Sequence, residues 1–394
     1  MTEVNIDDDD GVVVDALAAA FPDREVATVG EAGLSWNEGN RTVRVEFAAG
    51  DGAYLKVAVD GDGSRAATEA AGLSYANAHT DAAVPTVLAR DLDRDRPYLA
   101  TADVDSSTAE DTAGVHSATA EAAPAVVGWR AWRNADDDER AALARGLGRT
   151  LASVHACRFD DHGHVVGGDA DGLDLDRGAW TDVLLDTIDF TREQAGDGRF
   201  AHHFDAVVEL VEAGRDRLDR APAALLHGDP ARPNTFVRDA TAGAPDAAAT
   251  APDATATAPD ATATAPDATA TAPDVDGTPT VGLLDWELAH VGDPVRELQR
   301  ANRQFVTSTF DPGTDRHVDA FYDGYRERAD GLPDGFDDRH RIYDAVAYLG
   351  VSGFFEKWER EFETSTDEIA ADVREEMDRR LDAAWSTVET APGH

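Results

Sequence analysis

Two short segments of this 394-residue chain each run from apolar residues straight into polar residues that can bind a ligand. The first covers residues 225–229 (LLHGD), with Asn234 five residues after its aspartate, and the second covers residues 282–287 (GLLDWE). Short apolar runs of this kind favour buried strands. Because a polar side chain that follows a buried strand is held rigidly at the edge of a cleft, these segments constrain the fold more than any other feature.

A repeat of the phrase APDATAT separates the two segments and places prolines at 245, 252, 259, 266 and 273. Proline in every unit and the absence of large apolar residues exclude a coiled coil, and the unit is too short for a solenoid. We therefore predict a disordered low-complexity insert over 241–278. Because the cost of closing a loop rises slowly with its length, the insert can extend the turn of a hairpin between residues 235–238 and 280–284.

The rest of the chain divides at 105–124, a segment that we interpret as a surface insertion or linker. Before it, alternating apolar residues and glycine-containing turns predict five strands, with an alanine-rich helix over 65–79 after the third. These strands, which follow a short helix over 11–20, cover 25–34, 41–48, 53–59, 84–90 and 97–102. After it, helical spacing predominates and includes one long helix over 339–386. The sequence predicts an α+β protein of two lobes, a small antiparallel β lobe with one helix (1–104) and a larger, mainly α lobe (125–394).

The net charge of −43 narrows the range of partners. Phosphate backbones and anionic lipids repel an acidic chain, so we expect neither a nucleic-acid partner nor a membrane partner. Two of the 35 basic residues are lysines, Lys56 and Lys357, and the others are arginines. Such an acidic excess suits concentrated salt, which screens self-repulsion. We predict a halophilic, cytoplasmic protein in which the single cysteine, Cys157, forms no intrachain disulfide.

Phosphoryl transfer is the chemistry that these residue types fit. It requires a carboxylate that orients and deprotonates the attacking hydroxyl, oxygen ligands for Mg²⁺, and a cation on the phosphates. Asp229 is the candidate base, and Asn234 and Asp285 are the candidate metal ligands. Lys56 is the candidate phosphate clamp, because a chain with almost no lysine keeps one in its third strand and a clamp favours a compact point charge. A surface lysine without a function is the alternative.

In its two motifs, HGDPARPNTFV and LLDWELAHVGDP, the chain resembles the aminoglycoside phosphotransferase-like family of small-molecule kinases. That family is similar in fold to protein kinases, and the order of the motifs along the whole chain agrees with it. The resemblance implies ATP and Mg²⁺ as cofactors and a small molecule as the phosphate acceptor. It implies that Asp229 is the catalytic base, that Asn234 and Asp285 bind magnesium, and that His227 supports the loop. It also implies that Asp293 braces the loop.

Two further residues follow from their positions along the chain. Glu69 would pair with Lys56, because it is the only acidic residue between 65 and 80; an exposed helix glutamate is the alternative. Ser35 lies in the segment 33–40, between the first two strands, where a phosphate-covering loop belongs. That segment lacks the Gly-x-Gly-x-x-Gly pattern of protein kinases, so an ordinary hairpin turn is the alternative.

The sequence therefore predicts an ATP- and magnesium-dependent phosphotransferase that acts on a hydroxyl of an amino sugar, an amino alcohol or a similar small molecule. A metal-dependent phosphoesterase or hydrolase built on His227, Asp229 and Asp285 is one alternative, and it would not need Lys56. A non-catalytic nucleotide-binding pseudokinase is another, against which the complete residue set argues. No glycine precedes either lysine, as a P-loop requires, and no HExxH or Gly-x-Ser-x-Gly motif occurs. The acceptor and the oligomeric state stay open.

Overall fold

The computed structural model describes residues 8–31, 39–59, 63–104, 125–238, 278–362 and 364–390. Within these ranges the architecture is α+β, with an antiparallel sheet in the N-terminal part and a mainly helical C-terminal part. None of the helices in the same ranges is both long enough and apolar enough to cross a bilayer. The predicted linker 105–124, Ser35 and nearly all of the predicted insert 241–278 lie outside the described residues.

The N-terminal lobe is built on a five-stranded antiparallel sheet. Its elements are α1 (Asp8–Ala20), β1 (Val26–Glu31), β2 (Asn40–Phe47), β3 (Gly52–Ala58), α2 (Ser64–His79), β4 (Val87–Asp91) and β5 (Tyr98–Ala102). The strand order is β1-β2-β3-β5-β4. Alternation sets the two faces, since Val43 and Val45 of β2 are buried and Glu46 is exposed. The buried face packs against Leu17 of α1, so the lobe has its own small core.

Helix α2 lies on the other face of this sheet. Leu99 of β5 belongs to the core that includes Leu73 of α2, whereas Ala100, the next residue, belongs to the core under α1. Gly72 lets α2 approach the second motif closely, because a Cβ there would lie 3.2 Å from the ring of Trp286. One helix thus joins the N-terminal sheet to the part of the C-terminal lobe that carries Asp285.

Ten helices of the described residues form most of the C-terminal lobe. They are α3 (Gly128–Asn134), α4 (Asp137–His155), α5 (Trp180–Ala195), α6 (Ala201–Ala213), α7 (Arg215–Leu218), α8 (Pro294–Ala301), α9 (Asp315–Ala329), α10 (Phe336–Ser352), α11 (Phe355–Trp358) and α12 (Thr366–Glu389). Helix α4 begins at a capping box in which Asp136 and Glu139 exchange hydrogen bonds. It crosses α9 at close range, because Gly148 and Gly324 each face the backbone of the other helix. This pair forms the frame on which the motif strands pack.

Both motifs follow short strands of this lobe. These strands are β6 (Val126–Val127), β7 (Arg158–Phe159), β8 (His162–Gly168), β9 (Leu173–Gly178), β10 (Ala223–Leu226), β11 (Thr235–Arg238), β12 (Thr280–Leu283) and β13 (His290–Gly292). The predicted pairing across the repeat is confirmed, since β11 and β12 are antiparallel, with Thr235 opposite Leu283 and Arg238 opposite Thr280. Strand β10 is buried along its whole length between β7 and β13. It ends directly before His227.

The sequence pattern predicts a lobe that only the motif region interrupts and that ends in one long helix, and both expectations are wrong. The hairpin of β8 and β9 interrupts the helical lobe outside the motif region, and it is stabilised by α2, whose Thr68 donates a hydrogen bond to the carbonyl of Val165 (2.7 Å). The long helix over 339–386 is three helices. Gly353 ends α10 against the ring of Phe204, and Ser365 caps α12 by accepting a hydrogen bond from the N–H of Glu368. Contacts with the distant α2 outweigh local propensity in the hairpin, whereas Ser365 is a local signal that begins a new helix.

Candidate active site

The loop after β10 carries His227, Gly228 and Asp229. Gly228 has a φ of +91°, and a Cβ there would collide with the carbonyl oxygen of Leu288, so the position requires glycine. The buried His227 ring accepts a hydrogen bond at Nδ1 from the N–H of Asp229 (3.2 Å). Its Nε2 therefore carries the proton and donates to the carbonyl of Leu284 (2.7 Å). The ring thus ties this loop to the start of the second motif.

Glu297 of α8 holds the backbone of the same loop. Its buried carboxylate accepts hydrogen bonds from the N–H groups of His227 (3.1 Å) and Gly228 (2.6 Å) and from Nε2 of His155 (2.9 Å). Burial would raise the pKa of Glu297, but these donors outweigh it and lower the pKa to about 2. Glu297 is absent from the predicted site residues. The sequence feature that could have indicated Glu297 is its position one turn into the helix that begins in the segment Gly292-Asp293-Pro294.

Asp293, which the resemblance implies as a brace of the loop, has different partners. Its carboxylate caps α8 by accepting a hydrogen bond from the N–H of Val295 (3.0 Å). It also accepts from Arg339 (2.6 Å) and from the hydroxyl of Tyr343 (2.7 Å), both on α10. The implied role needs correction, because Asp293 joins α8 to α10, whereas Glu297 and Arg296 are the α8 side chains that bind the loop backbone.

The carboxylate of Asp229 is oriented from two sides. Its Oδ1 accepts hydrogen bonds from Nε and Nη2 of Arg300 (3.1 and 2.8 Å), and its Oδ2 accepts from Nδ2 of Asn234 (2.9 Å). The Asp229 side chain is 24% exposed, so a ligand in the cleft can reach it. A fixed, partly exposed carboxylate can accept a proton from a hydroxyl. Because Asn234 uses its nitrogen here, its Oδ1 is the atom left for a cation.

The second cluster surrounds Lys56 of β3. Its Nζ lies 2.6 Å from Glu69 of α2, 2.7 Å from Asp285 and 3.4 Å from Glu287. Burial alone would lower the pKa of Lys56, but the charges of these three carboxylates outweigh it and raise the pKa well above its ordinary value. Asp285 has a φ of +61°, in the left-handed region, which turns its side chain out of the line of β12. The structure thus brings Lys56, Glu69 and Asp285 together.

A cation fits this cluster. One carboxylate oxygen from each of Glu69, Asp285 and Glu287 lies within 4.8 Å of the other two, and Lys56 is the ammonium among them. Burial, assisted by the two neighbouring carboxylates, raises the pKa of Glu69 to about 7. Arg65 also pairs with Glu287 (3.1 Å), so three carboxylates face two cations and one positive charge is lacking. Hard oxygen donors are the ligands that Mg²⁺ prefers. Glu287 is absent from the predicted site residues, although it lies within the second motif.

Two hydrogen bonds connect the loop of Asp229 with the cluster of Lys56, and both use Leu284. Its N–H donates to the carbonyl of Asn234 (2.8 Å), and its own carbonyl accepts from His227. A backbone hydrogen bond therefore joins Asn234 to Leu284, the residue before Asp285. Six of the predicted site residues lie in this connected region, and Ser35 lies outside the described residues.

Comparisons with known proteins support the fold. Neither the known protein families nor the curated proteins give a match. Among solved structures, the chain is similar to a proposed fructosamine-3-kinase from Thermobifida fusca YX-ER1, with 18% identity over 94% of this chain and 98% of that chain and a TM-score of 0.51. This likeness shows that the chain has the two-lobed, protein kinase-like fold that the motifs predict.

Two further solved structures are similar at lower scores. One is a thermostable mutant of aminoglycoside phosphotransferase APH(4)-Ia in a ternary complex with ADP and hygromycin B, with 13% identity, coverage of 95% and 98%, and a TM-score of 0.49. The other is macrolide 2′-phosphotransferase MphH from Brachybacterium faecium, with 16% identity, coverage of 97% and 99%, and a TM-score of 0.45.

Proposed function

We propose that this chain is an ATP- and Mg²⁺-dependent phosphotransferase that acts on the hydroxyl of a small molecule. The observation that carries the proposal is the connection, through Leu284, of an oriented carboxylate at Asp229 with a lysine–carboxylate cluster at Lys56 and Asp285. Phosphoryl transfer needs these two units and little more. The fold is shared with a protein described as a proposed fructosamine-3-kinase, which agrees with this reaction class.

The Lys56 cluster would bind the nucleotide. Lys56 is a compact cation for the phosphates, and the buried carboxylate of Glu69 keeps its Nζ in place. Asp285 and Oδ1 of Asn234 would hold magnesium, with Glu287 close by. Bound magnesium supplies positive charge that offsets the charge developing on the transferred phosphoryl group. Lys56 would then contact a phosphate oxygen in place of Asp285.

Asp229 would act on the acceptor. Its carboxylate accepts the proton of the acceptor hydroxyl while the hydroxyl oxygen forms a bond to the γ-phosphorus and the bond from that phosphorus to the bridging oxygen of ADP breaks. The contacts with Arg300 and Asn234 hold the carboxylate in one orientation during this step. The loop backbone cannot shift away, because Glu297 binds two of its N–H groups.

The test uses purified protein in molar KCl. Titration calorimetry should show binding of Mg-ATP, and a panel of hydroxylated small molecules should include at least one that is phosphorylated with release of ADP. Lys56→Ala should lower turnover by about 10²-fold or more, the typical effect of removing one charge-stabilising group. Lys357→Ala is the matched control, since Lys357 is the other lysine of the chain and is exposed.

Two results would contradict the proposal. One is the absence of Mg-ATP binding in the folded protein. The other is hydrolysis of phosphate esters without ATP at a rate that Lys56→Ala leaves unchanged, which would favour a metal-dependent phosphoesterase built on the same carboxylates.

A further inference from the structure

A cavity of 630 Å³ lies between α8, α9, α10 and α12. Four of its twelve lining residues are arginines, namely Arg303, Arg341, Arg379 and Arg380, and one lining residue, Asp344, is acidic. Arginine supplies 33 of the 394 residues of the chain, and the net charge is −43. The cavity wall thus has the opposite charge to the molecule as a whole.

Two of these arginines, the buried Arg380 and the half-buried Arg303, each have a buried donor atom without a partner among the residues that the structure describes. Arg380 is 9% exposed, and its Nε and that of Arg303 have no hydrogen-bond partner in the described part of the chain. Burial, and next the charge of Arg380, lower the pKa of Arg303. Buried donors that lack acceptors destabilise the folded protein. An anion in the cavity would supply the missing acceptors and offset the repulsion between the two guanidinium groups.

Acidic neighbours balance only part of this charge. Asp344 and Glu376 both pair with Arg380, and Glu376 also pairs with Arg379. Arg341 is exposed and has no ion pair within the described ranges. Four guanidinium groups therefore face two carboxylates. The planar guanidinium fork matches carboxylate and phosphate groups, so the excess of two positive charges suits either of them.

Arg303 lies in a π turn that lines this cavity. It covers Asn302–Val306 directly after α8, and the N–H of Thr307 donates to the carbonyl of Asn302 (2.7 Å), five residues earlier. The guanidinium of Arg303 is held by the carbonyl of Thr307 and the hydroxyl of Thr309, each at 3.3 Å. Single π turns of this kind occur mostly at functional sites. The insertion changes the helical register where the cavity begins.

Helix α8 and its π turn contact both the cavity and the proposed base. Gln299 and Arg303 line it from one face of α8 and its π turn, while Arg300, between them, binds Oδ1 of Asp229 at 2.8 Å. Successive positions of a helix are about 100° apart around an axis whose side chains span about 10 Å. The cavity wall and the carboxylate of Asp229 are therefore contacted from neighbouring positions of one helix and its π turn.

We propose that this cavity binds an anionic group, a carboxylate or a phosphate, of the acceptor whose hydroxyl Asp229 deprotonates. This inference rests on the proposed phosphotransferase function and specifies its substrate class. The acceptor is then a hydroxy acid or the phosphate ester of a polyol or sugar, and not a cationic amino sugar or amino alcohol.

The first test measures anion binding without turnover. Inorganic phosphate is titrated calorimetrically into the protein at constant molar KCl, for the unchanged chain and for Arg303→Gln, Arg341→Gln and Arg374→Gln. We expect binding to weaken about tenfold in the first two variants, because each removes a charge-assisted donor. Arg341→Gln keeps the test decisive if Arg303→Gln fails to fold, since Arg341 is exposed. Arg374→Gln is the control, an exposed arginine of α12 outside the cavity.

The second test compares acceptors in matched sets that carry a carboxylate, a phosphate, an amine or no charge. We expect the anionic members to be phosphorylated with a kcat/KM about tenfold or more above that of the neutral member. Arg341→Gln should raise the KM for anionic acceptors about tenfold and leave kcat and Mg-ATP affinity unchanged. Inorganic phosphate should compete with the acceptor, and the carboxylate and phosphate members distinguish the two sources of the anion.

Three outcomes would overturn the assignment. The first is phosphate binding that the cavity variants leave unchanged. The second is a preference for amine or neutral acceptors. The third is phosphate binding that does not compete with the acceptor, which would make the cavity an effector site. If Mg-ATP does not bind but phosphate binding still depends on Arg303 and Arg341, the proposed phosphotransferase function has failed while the anion site remains.

Discussion

The loop of Asp229 and the cluster of Lys56 are each built around a buried glutamate, and the two glutamates have opposite environments. Glu297, under the loop, accepts hydrogen bonds from two backbone N–H groups and from His155, and its pKa falls to about 2. Glu69, beside Lys56, shares one ammonium with two further carboxylates, and its pKa rises to about 7. Burial raises the pKa of both, so the difference comes from the number of donors and from the two further carboxylates beside Glu69.

The loop of Asp229 therefore needs no ligand to hold its geometry, whereas the Lys56 cluster needs one to balance its charge. Every hydrogen-bond donor that orients Asp229 comes from the chain itself, so the base has its geometry before any ligand binds. The Lys56 cluster has one positive charge fewer than it has carboxylates, and a bound cation would supply it. Changes to the loop should therefore affect catalysis and folding directly, while changes to the cluster should depend on pH and on magnesium.

The largest expected effect comes from Asp229→Asn, which leaves the loop intact and removes the base. We expect turnover to fall by about 10²- to 10⁴-fold, the usual contribution of a general base, while Mg-ATP affinity changes by less than about twofold. Steady-state kinetics with a phosphorylated acceptor and calorimetry with Mg-ATP measure the two effects. Asp367→Asn, at a side chain that is 92% exposed, is the control. Wild-type turnover in Asp229→Asn would exclude Asp229 as the base.

The next largest effect is on stability, and it tests whether the loop of Asp229 depends on Glu297. Glu297→Ala leaves buried donors without an acceptor, and we expect the free energy of unfolding to fall by about 3–5 kcal/mol. Denaturant unfolding measures this change, with the exposed Glu375→Ala as the control. A loss no larger than that of the control would show that the loop does not depend on this carboxylate.

Glu297 also predicts a dependence on pH. Its folded pKa, about 2, lies below the ordinary value of 4.5, so the stability that it contributes is present above pH 4.5 and is lost as the pH falls towards 2. In Glu297→Gln the free energy of unfolding should therefore decrease less steeply than in the unchanged chain between pH 4.5 and pH 2. Equal slopes in the two proteins would contradict the lowered pKa.

Glu69 should show the opposite sign. Because its folded pKa is about 7, the folded protein binds this proton more tightly than the unfolded chain does. The resulting stability is present below pH 4.5 and is lost as the pH rises through 7. We expect Glu69→Gln to remove about 1–3 kcal/mol of this pH dependence between pH 4.5 and pH 8, measured by denaturant unfolding without magnesium.

The same measurement with added magnesium tests whether the cluster binds a cation. Added Mg²⁺ should reduce the pH dependence of the unchanged chain, because a cation favours the ionised carboxylates of Glu69, Asp285 and Glu287. The same addition should reduce the pH dependence of Glu297→Gln as much as that of the unchanged chain, since Glu297 lies under the loop and this variant keeps the cluster intact. A pH profile of the unchanged chain that magnesium leaves unaltered would mean that the cluster holds no cation.

Local patterns predict the parts of the molecule that local sequence determines. The alternation of β2, the lysine in β3, the single acidic residue between 65 and 80 and the two motifs locate six of the candidate site residues and the pairing of β11 with β12. Glu297 and Arg300 could not be found in this way, because their roles depend on α8 lying against the loop after β10. The hairpin of β8 and β9 was missed for the same reason, since α2 stabilises a glycine-rich segment that has little strand propensity of its own.

The smallest expected effect comes from deleting residues 246–273, which lie in sequence between the strand after Asn234 and the strand before Asp285. These strands pair directly, with Arg238 opposite Thr280, so the shorter connection still joins two adjacent chain ends. Each halving of a flexible loop changes its closure cost by only about 0.6 kcal/mol. We expect the free energy of unfolding to change by less than about 1 kcal/mol and kcat/KM by less than about twofold. A larger loss would mean that the repeat contributes contacts beyond the pairing of β11 with β12, and that the base and the cluster depend on more than their hydrogen bonds through Leu284.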